Sequence, residues 1–195
     1  VAANAGAVVL AEPRPLWLRL YGSFAAPILV TLAGVMGALA TSRDRLRPGG
    51  PRRGLGYYLS RGGFVLLIAM IVDLGIEGYL PLMSCDVLYL IALSLPVCYL
   101  ASRLGPRAAW AAALTVFLIT PVFQTGLGYR LAMHQPSLET PLTEWPGLLP
   151  GAARRFLIDG WFPILPWAGF ALLGAALGLR TEGGRTSPRI SPAVA

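Results

Sequence analysis

Apolar residues in this chain come in long, nearly uncharged runs divided by polar connectors rich in glycine, proline and arginine. Five runs stand out: Leu20 to Ala40, Gly63 to Leu80, Val87 to Leu104, Ala108 to Phe123 and Trp161 to Leu179. Each is close to the roughly 20 residues that a helix needs to cross about 30 Å of hydrocarbon. In lipid every backbone amide must find its partner within the segment, so these runs predict helices. The pattern therefore predicts an all-α integral membrane protein, a bundle of about five transmembrane helices. Residues 1–180 read as a single helical domain and residues 181–195 as a flexible polar tail. The apolar piece Ala5 to Ala11 is too short to span.

Composition supports the bilayer as solvent. Of 195 residues, 55% are hydrophobic and only 13% charged, about half the charge of an ordinary soluble domain. Disorder is excluded on the same ground, because a chain this apolar cannot stay solvated. The net charge of +7 raises nucleic-acid binding as an alternative. All 16 basic residues are arginines, however, and Arg43, Arg45, Arg47, Arg52, Arg53 and Arg61 fall in one connector, Thr41 to Gly62. That is how topology-setting charge is placed. The expected partner is a lipid bilayer and no nucleic acid.

With that connector cytoplasmic, Arg103, Arg107, Arg180, Arg185 and Arg189 share its side, and Arg14, Arg19, Arg130, Arg154 and Arg155 lie opposite. The bias predicts an N-terminus outside and a C-terminus in the cytoplasm, in a bacterial cytoplasmic membrane. Small residues recur at four-residue spacing: Ala33 with Gly37, Gly34 with Ala38, and Gly174 with Gly178. Such pairs let helix backbones approach closely where lipid supplies no drive for association; they also follow from an abundance of glycine and alanine.

The sparse acids carry the functional signal. Asp73 and Glu77 lie four residues apart on one helix face, and a carboxylate within a span normally faces a protein interior or a wet cavity. Paired carboxylates can act as acid and base, or bind a cation or sugar hydroxyl; Glu77 can equally reach the outer interface. Asp86 opens the third span and Asp159 precedes the fifth. Each is placed to cap a helix N-terminus. Together with Arg130, His134, Arg154 and Arg155 they fall at one outer mouth, predicting a polar pocket there.

His134, the sole histidine, lies in the proline-rich connector Gln124 to Gly160. It is a candidate base by its near-neutral pKa, with a plain surface residue as the alternative. No Cys/His spacing suits a metal, and none is expected. Cys85 and Cys98 are separated by roughly 20 Å of helix, too far for a disulfide. No phosphate loop, dinucleotide fingerprint or nucleophile elbow occurs.

Three stretches resemble one family. Residues 23 to 35, Ser-Phe-Ala-Ala-Pro-Ile-Leu-Val-Thr-Leu-Ala-Gly-Val, are similar to its helix entered through an aromatic and Ala-Pro. Arg61-Gly62 before an apolar helix, and Cys85-Asp-Val-Leu-Tyr-Leu-Ile-Ala-Leu-Ser-Leu, resemble its next two helices. Residues 159 to 174, Asp-Gly-Trp-Phe-Pro-Ile-Leu-Pro-Trp-Ala-Gly-Phe-Ala-Leu-Leu-Gly, resemble a late one. The family is the heparan-α-glucosaminide N-acetyltransferase-like multi-spanning membrane acyltransferases, and the likeness covers most of residues 16 to 180.

The resemblance implies transfer of an acetyl group from acetyl-CoA to an amine or hydroxyl of a glycan acceptor on the outer side. For that reaction the polar residues read above supply the candidates: Asp73, Asp159 and His134 as catalytic, Glu77, Asp86, Arg130 and Trp167 around the acceptor, and Arg53 and Arg61 at the coenzyme phosphates. Members begin with a further helix bearing Asp and Arg-Gly, followed by the histidine associated with transfer; nothing before Ser23 matches it, so the chain is expected to lack that region. Two other functions fit the bundle: a non-catalytic scaffold among other membrane subunits, and a small transporter using Asp73 as an ion site.

Overall fold

The computed structural model describes residues 16–46, 53–78, 80–82, 85–128, 151–159 and 162–185, and helix is the only regular structure among them. Five helices are long and apolar enough to cross a membrane. They are α1 (Leu16–Leu46), α2 (Leu55–Val72), α3 (Val87–Leu104), α4 (Pro106–Leu127) and α5 (Ile164–Arg185). Two short π-helical turns accompany them, Asp73–Glu77 continuing α2 and Arg155–Asp159 ahead of α5, the second entered through helical residues 151–154. The all-α membrane bundle expected from the apolar runs is the observed architecture.

One connector is shorter than expected. Instead of spanning Thr41 to Gly62, it is confined between the end of α1 at Leu46 and the start of α2 at Leu55. Arginine stems lie along apolar helix surface while their charged heads reach water, so a basic segment can stay helical. At the far end, α5 continues to Arg185.

The tightest packing joins α1 to α5. A Cβ added at Gly34 would fall 1.9 Å from the Ala171 carbonyl oxygen, and one at Gly174 would fall 1.9 Å from that of Thr31. No side chain fits at either place, so backbone meets backbone and dispersion contacts are gained along both helices. Val30, Ala38, Ala171 and Ala175 are buried beside them. Gly34 pairs with Ala171, and Gly178 further on lies against Val35 and Ala38, so the two helices run parallel. The neighbouring stripe turns elsewhere, with Gly37 facing Cys98 of α3. The two small-residue stripes of α1 thus serve two different partners.

Helix α5 also lies against α3 and α4, and α3 touches all four other helices. A single residue, Gly105, separates α3 from α4, with φ of 98° that side-chain-bearing residues rarely adopt. Helix α2 packs on α3 through a related device. Pro96 has no N–H to offer the Ala92 carbonyl four residues earlier. Gly62 of α2 lies against that oxygen, where a Cβ would come within 2.6 Å. Several hydroxyls inside the spans are satisfied locally, as Thr31 donates to Pro27, Ser102 to Cys98 and Thr120 to Val116, each to a carbonyl of the preceding turn. The buried Ser94 Oγ of α3, by contrast, has no hydrogen-bond partner among the described residues.

Candidate functional site

The chain reverses between α2 and α3 around one acid. Asp73 stands where the α-helix widens into the π-turn, which closes when Gly78 N–H bonds the Asp73 carbonyl. Such widened turns are rare and frequently lie at functional sites. The Asp73 side chain is only 2% exposed, and among the described residues it is the one buried charged side chain. The Tyr89 hydroxyl of α3 donates to its Oδ2 at 2.5 Å and accepts from Leu82 N–H at 3.1 Å. One phenol thus links the acid to the connector backbone.

That connector carries strain. Leu82 (φ 70°) and Cys85 (φ 49°) are both left-handed, a conformation costing roughly 1–2 kcal/mol per ordinary residue. It is held by the Leu82–Tyr89 hydrogen bond and by Phe162 N–H donating to the Cys85 carbonyl at 2.9 Å. Phe156, from the second π-turn, meets Tyr89 edge-on at 5.5 Å, and Ile158 in the same turn is fully buried. Burial pushes the Cys85 thiol up to about 12, opposed by the charge of Arg155 and reinforced by that of Asp73. A thiol so held stays protonated at neutral pH and is a poor nucleophile.

Among the expected site residues, Asp73 lies at the centre of this corner. Asp86 N-caps α3, its Oδ1 accepting from Val87 N–H at 2.6 Å, so its carboxylate is engaged as a cap. Glu77 and Asp159 close the two π-turns at the same end of the bundle; their side chains lie outside the described residues, as do Arg130 and His134 entirely. Trp167 packs between Phe162 at 4.9 Å and Phe170 at 5.8 Å, against the main core.

Arg53 and Arg61 lie at the opposite end of the bundle. The Arg53 guanidinium stands over the Tyr57 ring at 4.7 Å, and Arg61 donates to the Tyr57 hydroxyl at 3.1 Å. Beside them Tyr58 shares a 3.0 Å hydrogen bond with Thr41 of α1 and stacks on Tyr99 of α3 at 4.6 Å.

Sequence reasoning missed Tyr89, although it stands in the Asp-Val-Leu-Tyr block. A tyrosine in an apolar helix reads as packing, and only the fold shows that its hydroxyl faces Asp73. The π-turns and the left-handed residues leave no signal in composition or spacing. Among the described residues no group of three or more His, Cys, Asp or Glu is placed to hold a metal. What the corner offers is a buried carboxylate oriented by a phenol, an arrangement suited to accepting a proton.

A family model described as heparan-alpha-glucosaminide N-acetyltransferase, catalytic, matches residues 8–193. No curated protein and no solved structure matches the chain.

Proposed function

From the premise that this chain belongs to the heparan-alpha-glucosaminide N-acetyltransferase catalytic-domain family, we propose that it transfers an acetyl group from acetyl-CoA to an amine or hydroxyl of a glycan across a bacterial cytoplasmic membrane. The observation that supports this most directly is the buried Asp73, held by Tyr89 at one end of a bundle that the family model covers almost entirely. In the proposed reaction the acceptor nitrogen or oxygen attacks the acetyl carbonyl and gives its proton to Asp73. The carbonyl–sulfur bond breaks and the coenzyme leaves as a thiolate that takes up one proton, so the products are the acetylated acceptor and the coenzyme thiol. Tyr89 orients the carboxylate. Asp159 and His134 are assigned to the same step, with Glu77, Asp86, Arg130 and Trp167 around the acceptor.

The Asp73 end is assigned to the outer face and the arginine-bearing end to the cytoplasm, following the positive-inside bias. The exposed Arg43, Arg103, Arg107 and Arg180 give that end the charge that coenzyme phosphates need. Acetyl-CoA supplies the activated acyl group, and the bundle positions donor and acceptor and keeps water from the thioester.

The test is release of coenzyme thiol by the purified chain in lipid nanodiscs, with acetyl-CoA and glucosamine-terminated acceptors. Acceptor-dependent release that Asp73→Asn removes supports the reading. Folded protein that releases none across amino-sugar and hydroxyl acceptors overturns it.

A further inference from the structure

The two arginines on Tyr57 occupy an unusual place. Tyr57 and Arg61, one turn apart, share one side of the α2 entrance, and Arg53, just ahead of the helix, places its guanidinium over the same ring. Arg61 lies within the apolar stretch Leu55–Ile76 that is long enough to span. It is exposed, and the residues that continue its stripe are the exposed apolar side chains Phe64 and Ile68. Its surroundings are therefore those of lipid, not of the bundle interior. Such an arginine is tolerated near a helix end because its long stem lets the charge rise to the interface, and the bond to the Tyr57 hydroxyl, one turn nearer the helix start, holds it there.

Arg53 meets the same ring from the connector side. It pairs with Asp44, whose Oδ2 lies 3.6 Å from its Nε. Two guanidinium groups and one carboxylate leave a single net positive charge on one phenol. The ring itself is anchored, since Tyr57 packs edge-on against Tyr58 at 5.4 Å, and Tyr58 is buried between Thr41 and Tyr99. The site is thus fixed to the bundle, faces the bilayer at headgroup level and carries the charge that complements one phosphate diester.

We propose that Arg53, Tyr57 and Arg61 form a headgroup site for an anionic phospholipid, whose acyl chains run along Phe64 and Ile68 of α2. The guanidinium groups take the phosphate oxygens by charge-assisted hydrogen bonds, and the exposed apolar stripe below takes the chains. This assigns the pair to lipid in place of coenzyme, and it stands whether or not the bundle transfers acetyl groups.

The test measures retention of phosphatidylglycerol by the full chain, by native mass spectrometry from mixed phosphatidylcholine and phosphatidylglycerol nanodiscs. Wild type is expected to retain phosphatidylglycerol selectively. Arg53→Gln and Arg61→Gln should each weaken retention about fivefold, on the order of one basic residue's attraction to an anionic leaflet. Tyr57→Phe, which keeps the ring and removes the Arg61 bond, should weaken it by less. Arg103→Gln, an exposed arginine at the same end, should leave it unchanged. Equal loss in Arg103→Gln shows only diffuse attraction and overturns the site. So does displacement of the lipid by acetyl-CoA or inorganic phosphate at millimolar concentration, which marks a soluble anion as the occupant.

Discussion

The α1–α5 seam and the Asp73 corner both have buried centres, yet they are built from opposite materials. At its closest points the seam has no room for a side chain: Gly34 and Gly174 put each helix on the carbonyls of the other. The corner is made of an acid, a phenol and two left-handed residues, joined by hydrogen bonds among elements that end there. Buried polar groups and strained backbone both cost stability. A bundle sets such costs where chemistry needs them and recovers stability from close packing elsewhere. The seam therefore carries the fold and the corner carries the proposed activity.

Four experiments break or sharpen that contrast. The largest effect belongs to Gly174→Leu, where the added side chain meets the Thr31 carbonyl and has no path of relief. A loss of more than about 3 kcal/mol is expected, seen as failure to recover a monodisperse protein from detergent; normal recovery and melting would remove the seam from its structural role. Asp73→Asn comes next. Acetyl transfer should fall about 100-fold, while the bundle melts close to wild type because asparagine keeps an acceptor for Tyr89. Unfolding comparable to Gly174→Leu makes the corner structural and contradicts the contrast drawn above.

Tyr89→Phe should cost about 1–2 kcal/mol, since Leu82 N–H and the Asp73 carboxylate both lose a partner. Transfer should drop about tenfold by loss of orientation; activity equal to wild type would separate Tyr89 from the reaction. The smallest effect concerns Cys85. Its thiol is held protonated up to about 12 in the folded chain against an ordinary value of 9.0. Between these values the unfolded chain has lost the proton and the folded one keeps it. The contribution is present in full below pH 9 and fades as pH rises toward 12. Cys85→Ser should flatten the alkaline fall in stability, and a maleimide at pH 7 should leave the native Cys85 unlabelled; rapid labelling would show that the corner is open.

The bundle was legible because lipid forces a simple code of long uncharged runs, and α3 lies at Val87–Leu104 as its run predicts. The helices flanking the basic connector extend further than their apolar runs because Arg61 and its neighbours follow the helix surface instead of ending it. Asp73 was legible as an acid where acids are costly. Tyr89 was not, since its role depends on how α3 meets the end of α2, a tertiary fact. Asp86 held two readings, acceptor contact and helix cap, and the structure shows the cap in use. The Gly62–Ala92 contact needs both a proline on one helix and a glycine on another, a coincidence invisible in either run alone.

The close fit of Gly34 against Ala171 and of Gly174 against Thr31 also says something about how the protein comes into being. The ribosome delivers α1 to the membrane long before its close-fitting mate exists, because α2, α3 and α4 are made in between. Until α5 arrives, the glycine face of α1 must be lined by lipid, by α3 or by the insertion machinery. Closure of the core is therefore a late event in biosynthesis. A chain stalled before α5 would present an unclosed groove to the membrane's quality-control proteases, so completion of synthesis and completion of the fold become the same checkpoint.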